Sequence, residues 1–305
     1  MIKNSLYLFI PVALSLIFLS CGSSENAIKF NGPELPIKYS IVFIIHGDGD
    51  YLYHDLNGNA HQADEDALEQ AKNIGTSLKN SEVFIVHQKE KRHFLFFPLD
   101  DGEYYYYRNG ILINQDSYSR NRDQSAFEFE STLLKQNRST KYNNIANTFF
   151  LYYGHQIPEL DGNGYDESDP SGSFNIDSLA NGLKSIEKNL KTKRFSLVVL
   201  STCNNGTPAV ISKLSSDANY IIASPENLHL SNLNPGYLKT LNDKPNINLK
   251  RFANNFAENA FTNLKHNTET MISIAVYNIK ELSPLISEIY SKYSESLASL
   301  HAKED

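Results

Sequence analysis

Residues 148–155 read TFFLYYGH, and residues 195–203 read FSLVVLSTC. Each stretch is a short apolar run that ends in small or polar residues, which is typical of a strand buried on both faces of a parallel sheet. Similar runs lie at 41–45, 83–86 and 220–223. These five runs predict the core of a parallel β-sheet.

Segments with apolar residues at helical spacing alternate with these runs. The predicted helices cover 63–78, 125–134, 176–190, 208–214, 252–264 and 279–300, and a sixth strand covers 271–276. Residues 227–248 are polar and contain two prolines, which predicts a long loop. Because strands alternate with helices, we expect an α/β protein with a mostly parallel sheet covered on both faces.

Residues 93–113 break this alternation. Asp101-Gly102 and Asn109-Gly110 separate three β-prone runs, and both dipeptides favour hairpin turns. The pattern predicts an antiparallel meander inserted beside the parallel sheet. Its middle run contains four consecutive tyrosines, residues 104–107. They indicate either a sugar-stacking platform or an edge strand with two tyrosines on each face, and the edge strand is the favoured interpretation.

The composition excludes several classes of protein. The chain has 305 residues, 41% of them hydrophobic, and a formal charge of 28 − 35 = −7. This apolar content can fill a core, so the chain is neither a disordered tail nor a disulfide-stapled miniprotein. The negative charge lacks the basic footprint of a nucleic-acid binder, so no nucleic-acid partner is expected.

The first of the two cysteines, Cys21, ends an apolar leader. Lys3 precedes an apolar run from residue 6 to residue 19, and residues 18–21 read FLSC, which resembles a bacterial lipobox. The pattern predicts a signal peptide over residues 1–20 and a lipid on Cys21; an uncleaved signal anchor is the alternative. Either outcome predicts an exported protein held at the membrane of a bacterial cell envelope.

The second cysteine, Cys203, follows the predicted fourth strand, and His155 follows the third, 203 − 155 = 48 residues upstream. Functional groups of open α/β sheets gather at the carboxyl ends of the strands. A thiolate is a nucleophile, and a nearby imidazole can take its proton, so the pair predicts a catalytic dyad. Backbone N–H groups of Gly154 and Cys203 are the candidates for an oxyanion hole. A buried structural thiol is the alternative for Cys203.

These stretches resemble the clostripain-like cysteine peptidases, relatives of caspases, gingipains and legumain. Residues 198–203 resemble the nucleophile strand of that family, and 218–226 the next strand with its Ser-x-Glu turn. Residues 41–50 resemble its opening strand and acidic turn, and 273–282 its late strand and last helix. The resemblance spans residues 38–300, taken as one domain between the tether at 21–37 and the tail at 301–305. It implies a caspase-like α/β/α sandwich and an endopeptidase acting on proteins or peptides.

The resemblance implies that Cys203 is the nucleophile and His155 the catalytic histidine. In the family a glycine usually follows this histidine, but here Gly154 precedes it. Members that cleave after Arg or Lys usually have an aspartate two residues before the cysteine, and Ser201 stands there. Glu226 is the candidate to line the specificity pocket in its place. These departures leave a second interpretation open, a surface lipoprotein that keeps the fold as a binding module without turnover.

Maturation of many family members cuts after a basic residue between the histidine and the cysteine. Residues 156–183 contain no Lys or Arg, so we expect no self-cleavage of that specificity there.

No metal or other cofactor is predicted. Five histidines have no spacing that fits a zinc site and are interpreted as surface or turn residues: His46, His54, His61, His87 and His93. Residues 161–169 are rich in oxygen ligands, but they lack the sixth-place glycine of an EF-hand loop, so a solvated turn is favoured over a Ca²⁺ site. Asp48 and Asp50 are interpreted as turn residues at the carboxyl end of the first strand.

Overall fold

The structure is a computed structural model. It describes residues 36–47, 51–90, 92–120, 126–138, 145–159, 174–244, 246–267 and 271–301. The predicted leader, Cys21, Asp48, Asp50 and the oxygen-rich loop at 161–169 lie outside these residues. What the sequence predicts for them stays a prediction.

A central sheet contains eight strands in the order β12-β11-β10-β9-β1-β4-β7-β8. The strands of the described residues are β1 (Tyr39–His46), β2 (Leu52–His54), β3 (Ala60–Gln62), β4 (Ser81–Gln88), β5 (His93–Phe94), β6 (Phe97–Pro98), β7 (Gly102–Arg108), β8 (Ile111–Tyr118), β9 (Asn147–Tyr153), β10 (Phe195–Ser201), β11 (Ala218–Ala223) and β12 (Ala275–Asn278). The five central strands are mutually parallel, and β12, β7 and β8 pair antiparallel at the two sides.

Helices cover both faces of this sheet. They are α1 (Ala63–Ser77), α2 (Glu128–Asn137), α3 (Ile176–Leu190), α4 (Pro208–Lys213), the 3₁₀ helix η1 (Pro235–Asp243), α5 (Leu249–Asn267) and α6 (Ile279–His301). One apolar cluster joins α1, η1 and α5 to one face, and a second joins α2, α3, α4 and α6 to the other. The predicted α/β/α sandwich is therefore confirmed. Within the described part of the chain, no helix is both long and apolar enough to span a bilayer.

The tyrosine run corrects one prediction. Strand β7, which carries residues 104–107, lies between β4 and β8, so it is not an edge strand. Tyr104 and Tyr106 pack on one face, Tyr105 and Tyr107 pack on the other, and none is more than 5% exposed. The alternation of two tyrosines to each face is confirmed. The edge position and the stacking platform are both wrong, because β8 covers the strand and the helices cover its two faces.

Other segments differ from the predicted pattern. The run at 94–97 is a separate two-stranded hairpin rather than one strand of the meander. The segment predicted as a loop at 227–248 contains η1, whose Leu238 and Leu241 are fully buried and give it a packed face. The last strand begins at Ala275 rather than residue 271 and pairs antiparallel with β11. The β2–β3 hairpin was not predicted, since each of its strands has only three residues.

Candidate active site

The pairing of β9 with β10 brings the two candidate residues to one place. These neighbouring parallel strands pair with a constant offset of 48 residues, and the last pair is Tyr153 with Ser201. His155 lies two residues after Tyr153 and Cys203 lies two residues after Ser201, so these two residues keep the same offset. Both side chains are half-buried. The register of the sheet therefore sets the histidine and the cysteine on adjacent loops at the carboxyl edge, as the sequence predicts.

Polar contacts continue this offset beyond the ends of the strands. Buried Asn205 accepts a hydrogen bond from the N–H of Ile157 and donates one to its carbonyl, both at 2.8 Å. Because an asparagine side chain presents the same donor and acceptor as a peptide group, this pair extends the sheet-like pairing by one step. Three side chains of the loop after β10 form hydrogen bonds with the residues 48 positions earlier in the loop after β9. The pairs are Asn204 with Gln156, Asn205 with Ile157, and Thr207 with Glu159.

The Cys203 thiol contacts the backbone of a third loop. The Leu228 N–H lies 3.2 Å from Sγ, and Sγ lies 3.4 Å from the Leu228 carbonyl oxygen. The thiol thus accepts from and donates to the backbone of one residue. Leu228 itself is buried against the apolar cluster that joins α1, η1 and α5. The thiol is thus held by a fixed segment of backbone.

An aromatic ring packs against the candidate histidine. The Tyr51 ring centroid lies 4.3 Å from that of His155, and the two planes are tilted by 53°. Tyr51 is buried, and its carbonyl accepts the N–H of Ala63 at the start of α1. This contact restricts where the imidazole can lie. The sequence contained no signal for it, because Tyr51 belongs to no periodic run.

The local packing explains the glycine that precedes His155. A Cβ on Gly154 would lie 3.0 Å from the Tyr152 hydroxyl and 3.3 Å from the Cβ of His46. The glycine lets the ends of β1 and β9 approach each other. Its N–H points to the Ser201 carbonyl at a long 3.5 Å.

The loop after β10 also lies close to the backbone that follows β11. The Gly206 N–H donates to the Ser224 carbonyl at 2.7 Å, and a Cβ on Gly206 would lie 2.7 Å from the backbone nitrogen of Pro225. Asn204 has a positive φ of 52°, and its N–H donates to the Glu226 carbonyl at 2.9 Å. These contacts fix the turn that carries Cys203.

The two candidate pocket residues differ in their surroundings. Ser201 is 1% exposed, and its hydroxyl accepts the N–H of Leu233 at 2.8 Å and reaches Asn232 Oδ1 at 3.3 Å. These hydrogen bonds hold the loop that follows β11 against the end of β10. Glu226 is exposed next to that loop, where its carboxylate is available to solvent.

His87 corrects the interpretation of the five histidines as surface or turn residues. It is completely buried, with Nε2 2.8 Å from Asp64 Oδ2 and Nδ1 3.9 Å from Glu103 Oε2. Burial alone would lower the pKa of His87, but the hydrogen bonds to Asp64 and Glu103 raise it above its ordinary value. Burial likewise opposes ionisation of Asp64, yet His87 holds the pKa of that carboxyl below its usual range. The pair is a buried ion pair.

Asp64, Glu65 and His87 together form the group of the described residues whose ligand atoms could hold a metal ion. The atoms lie within 4.8 Å of one another. His87 Nε2 pairs with Asp64 Oδ2, whereas His87 Nδ1 and Asp64 Oδ1 are buried without a hydrogen-bond partner among the described residues.

The β2–β3 hairpin adds polar groups that the sequence did not reveal. His61 contacts Asp66 at 3.1 Å and Asp55 at 3.4 Å, and its ring stacks on Tyr53 with the centroids 5.0 Å apart. The Tyr53 hydroxyl donates to Asp66 at 2.7 Å, and its ring meets His229 edge-on at 5.3 Å. Burial lowers the pKa of His229, which keeps this imidazole neutral at pH 7. His229 follows Leu228 directly, so the loop that contacts the thiol also carries an imidazole.

No family model matches the chain, and no curated protein matches it. Solved structures do match. A secreted C11 cysteine protease from Bacteroides thetaiotaomicron, in complex with an irreversible peptide inhibitor, has 15% identity and a TM-score of 0.55, over 82% of this chain and 68% of that chain. A structure of the C11 protease from the same organism called iotapain has 12% identity and a TM-score of 0.55, over 82% of this chain and 69% of that chain.

The shared feature is the fold. At these identities the likeness supports a caspase-like arrangement of a large, mostly parallel sheet between helices, which is the fold of C11, or clostripain-like, cysteine proteases. The resemblance that the sequence motifs predicted is confirmed at this level.

Proposed function

We propose that the protein is a cysteine endopeptidase with Cys203 as its nucleophile and His155 as its proton carrier. The observation that supports this proposal is the 48-residue register of β9 and β10, which continues in the contact of Asn205 with Ile157, so that His155 and Cys203 hold equivalent positions of adjacent loops. Functional groups at this edge of an α/β sheet are where chemistry is expected. The peptidase fold of the structural neighbours supports the same class of reaction.

In the proposed reaction, Cys203 attacks the carbonyl carbon of a peptide bond as a thiolate, with its proton held by His155. The tetrahedral intermediate collapses, the C–N bond breaks, and His155 returns the proton to the leaving amine. Water, deprotonated by His155, then hydrolyses the thioester and regenerates the thiol.

The proposed substrate is a protein or peptide. One structural neighbour was solved with an irreversible peptide inhibitor, which supports a peptide-binding edge in this fold. Exposed Glu226 is the group we propose to meet a basic side chain of the substrate, because the Ser201 position is buried and its hydroxyl already bonds Leu233. Exchange of Glu226 for Gln should weaken cleavage of basic substrates more than that of neutral ones.

The test is labelling by peptidyl acyloxymethyl ketones with basic, acidic and apolar P1 residues, read by mass spectrometry at Cys203. We expect labelling in the wild type, none in Cys203→Ala, and a rate reduced by about 10²- to 10⁴-fold in His155→Ala. His54→Ala changes an exposed histidine of the β2–β3 hairpin and is the matched control. Loss of labelling in His229→Ala but not in His155→Ala would move the role of base to His229.

One observation favours a second candidate, a binding module that keeps the fold without turnover. Both polar contacts of the Cys203 thiol go to the backbone of Leu228, so the sulfur is occupied by the protein itself. Under this alternative no probe labels Cys203, and Cys203→Ala keeps the biological role. Labelling of Cys203 by any P1 probe would exclude it.

We further propose that a lipid on Cys21 holds this domain in the bacterial cell envelope. The FLSC motif at residues 18–21 supports the proposal. Metabolic labelling with an alkynyl fatty acid should mark the wild type and not Cys21→Ser, while Cys203→Ser should be marked like the wild type. Labelling of Cys21→Ser would contradict a lipid at this position.

A further inference from the structure

A small hairpin presents its apolar side chains to solvent. Strands β5 and β6 pair Phe94 with Phe97, and Leu95 and Phe96 form the turn between them. The exposed fractions are 67% for Phe94, 75% for Leu95, 91% for Phe96 and 71% for Phe97, and Leu99 after β6 is 46% exposed. Single exposed apolar residues are ordinary, but a contiguous patch marks an interaction surface.

The hairpin is ordered by its own backbone. Besides the β5–β6 pairing, the N–H of Leu99 donates to the Arg92 carbonyl at 2.9 Å, which closes the base of the hairpin. Leu95 has a positive φ of 58°, a conformation that side chains other than glycine, Asn and Asp seldom adopt. This backbone points four large side chains outward instead of folding them into either core cluster.

Charged residues border the base of the hairpin. Residues 91 and 92, which directly precede β5, read KR, whereas Lys89 pairs with Glu103 and Glu90 is exposed. Arg92 and His93 are exposed. The two acidic residues beyond Leu99 are engaged on β8 and after it: Asp100 accepts from Ser117 and Ser119, and Asp101 pairs with Arg120. Two consecutive basic residues thus adjoin the apolar hairpin in the sequence, and the carboxylates that follow it accept hydrogen bonds from β8 and the segment after it.

We propose that this hairpin, residues 92–99, inserts its tip into the interface of an anionic lipid bilayer. The tip is convex, it presents aromatic and aliphatic side chains, and basic residues border it, which together suit a headgroup region with negative charge. A groove on a partner protein would need no such basic border.

The position of the hairpin in the fold determines which edge of the sheet would face the membrane. It follows β4, and β4 is separated from β9 by β1 alone, so the hairpin leaves the same carboxyl edge about 10 Å from the strand of His155. Insertion would turn this edge toward the membrane and bring it near membrane-bound polypeptides. The proposal does not depend on catalysis by Cys203.

The test uses a chain that begins at Gly22, which lacks the leader and Cys21. Residues Pro33–Asp305 form a compact unit of their own, so this chain contains the whole fold. It is mixed with vesicles of phosphatidylcholine alone or with about 30% phosphatidylglycerol and floated on a density gradient. We expect binding to the anionic vesicles, and a partition coefficient reduced about tenfold or more in Leu95→Ser/Phe96→Ser.

Two further variants complete the test. Ile289→Ser removes an apolar side chain of similar exposure, 66%, on α6 and should bind like the wild type. Arg92→Glu should weaken binding to anionic vesicles, with the melting temperature unchanged because Arg92 is exposed. Absence of binding by the wild type, or equal binding by the double variant, would overturn the proposal. A wild type that dimerises without binding lipid, and a double variant that is monomeric, would instead assign the hairpin to a second copy of the chain.

Discussion

The Asn205 side chain exchanges two hydrogen bonds of 2.8 Å with the backbone of Ile157. It thereby ties the loop that carries Cys203 to the loop that carries His155, two residues beyond each of them. Asn205 has no exposed surface. Packing in the core therefore fixes the position of this side chain, and its two hydrogen bonds hold the two candidate catalytic loops together. In this arrangement Asn205 is a positioning residue, because it acts on the dyad through the backbone.

Asn205→Ala should separate the two loops. The exchange leaves a buried N–H and a buried carbonyl of Ile157 unpaired, at a cost of about 2–4 kcal/mol in the free energy of unfolding. We expect the rate of Cys203 labelling to fall at least tenfold at a temperature where circular dichroism shows the variant folded. Asn205→Asp can still accept from the Ile157 N–H and should recover part of the rate. Asn254→Ala, at an exposed position of α5, is the control. Unchanged labelling in folded Asn205→Ala would show that the clamp does not position the dyad.

Ser201→Asp tests whether this position can provide an acidic pocket. The site is 1% exposed, and the serine hydroxyl already bonds Leu233 and Asn232, so a carboxylate there would be a buried charge without a cationic partner. We expect the free energy of unfolding to fall by about 3 kcal/mol or more, with no gain in basic-probe labelling. Thermal unfolding and probe rates measure the two effects. Ser296→Asp on exposed α6 should change neither, and a stable variant with new basic specificity would contradict the burial argument.

His87→Asn should show how much the buried ion pair contributes to the free energy of unfolding. The pKa of His87 is raised in the folded state, so its contribution is complete below the unfolded value near 6.5 and is lost as the pH rises through the folded value. The pKa of Asp64 is lowered, so its contribution is complete above the unfolded value near 3.8 and is lost as the pH falls through the folded value. The loss of stability in the variant should therefore be largest between about pH 4 and pH 6.5. It should reach about 3 kcal/mol, since one buried charge loses its partner.

Denaturant unfolding of both proteins over pH 3–9 measures this difference. His54→Asn, at an exposed histidine, should follow the wild type throughout. A pH-independent difference between His87→Asn and the wild type would mean that His87 serves packing alone.

Glu187→Gln should stabilise the protein at alkaline pH. Glu187 is 9% exposed on α3, and burial together with the nearby Asp217 raises its pKa to about 8. Between its unfolded pKa near 4.5 and the folded value, the folded state holds a proton that the unfolded state releases, so stability falls as the pH rises. We expect no gain at pH 4 and a gain of about 2 kcal/mol at pH 9.

Melting temperatures at these two pH values measure the effect. Glu258→Gln, at an exposed glutamate of α5, is the control and should give no such gain. Equal effects of Glu187→Gln at both pH values would contradict the raised pKa.

The secondary structure was largely predictable, because it depends on patterns within short stretches. The apolar run at 195–200 forms β10, which extends one residue further to Ser201, and the spacing at 176–190 forms α3 with the predicted bounds. Short or irregular elements such as β2, β3 and η1 escaped prediction. The 3₁₀ helix η1 packs with α1 and α5 in one apolar cluster, and β2 and β3 pair only with each other, which no local pattern records.

The sequence by itself determined that apolar strands alternate with helices, and that His155 and Cys203 end two successive strands. It did so because burial on both faces of a strand requires a continuous apolar run. Only the tertiary structure decided the register that puts these residues on adjacent loops, the burial of Ser201 and His87, and the interior place of the four tyrosines. Each of these depends on which segments become neighbours, and hydrogen bonds between segments far apart in the chain decide that.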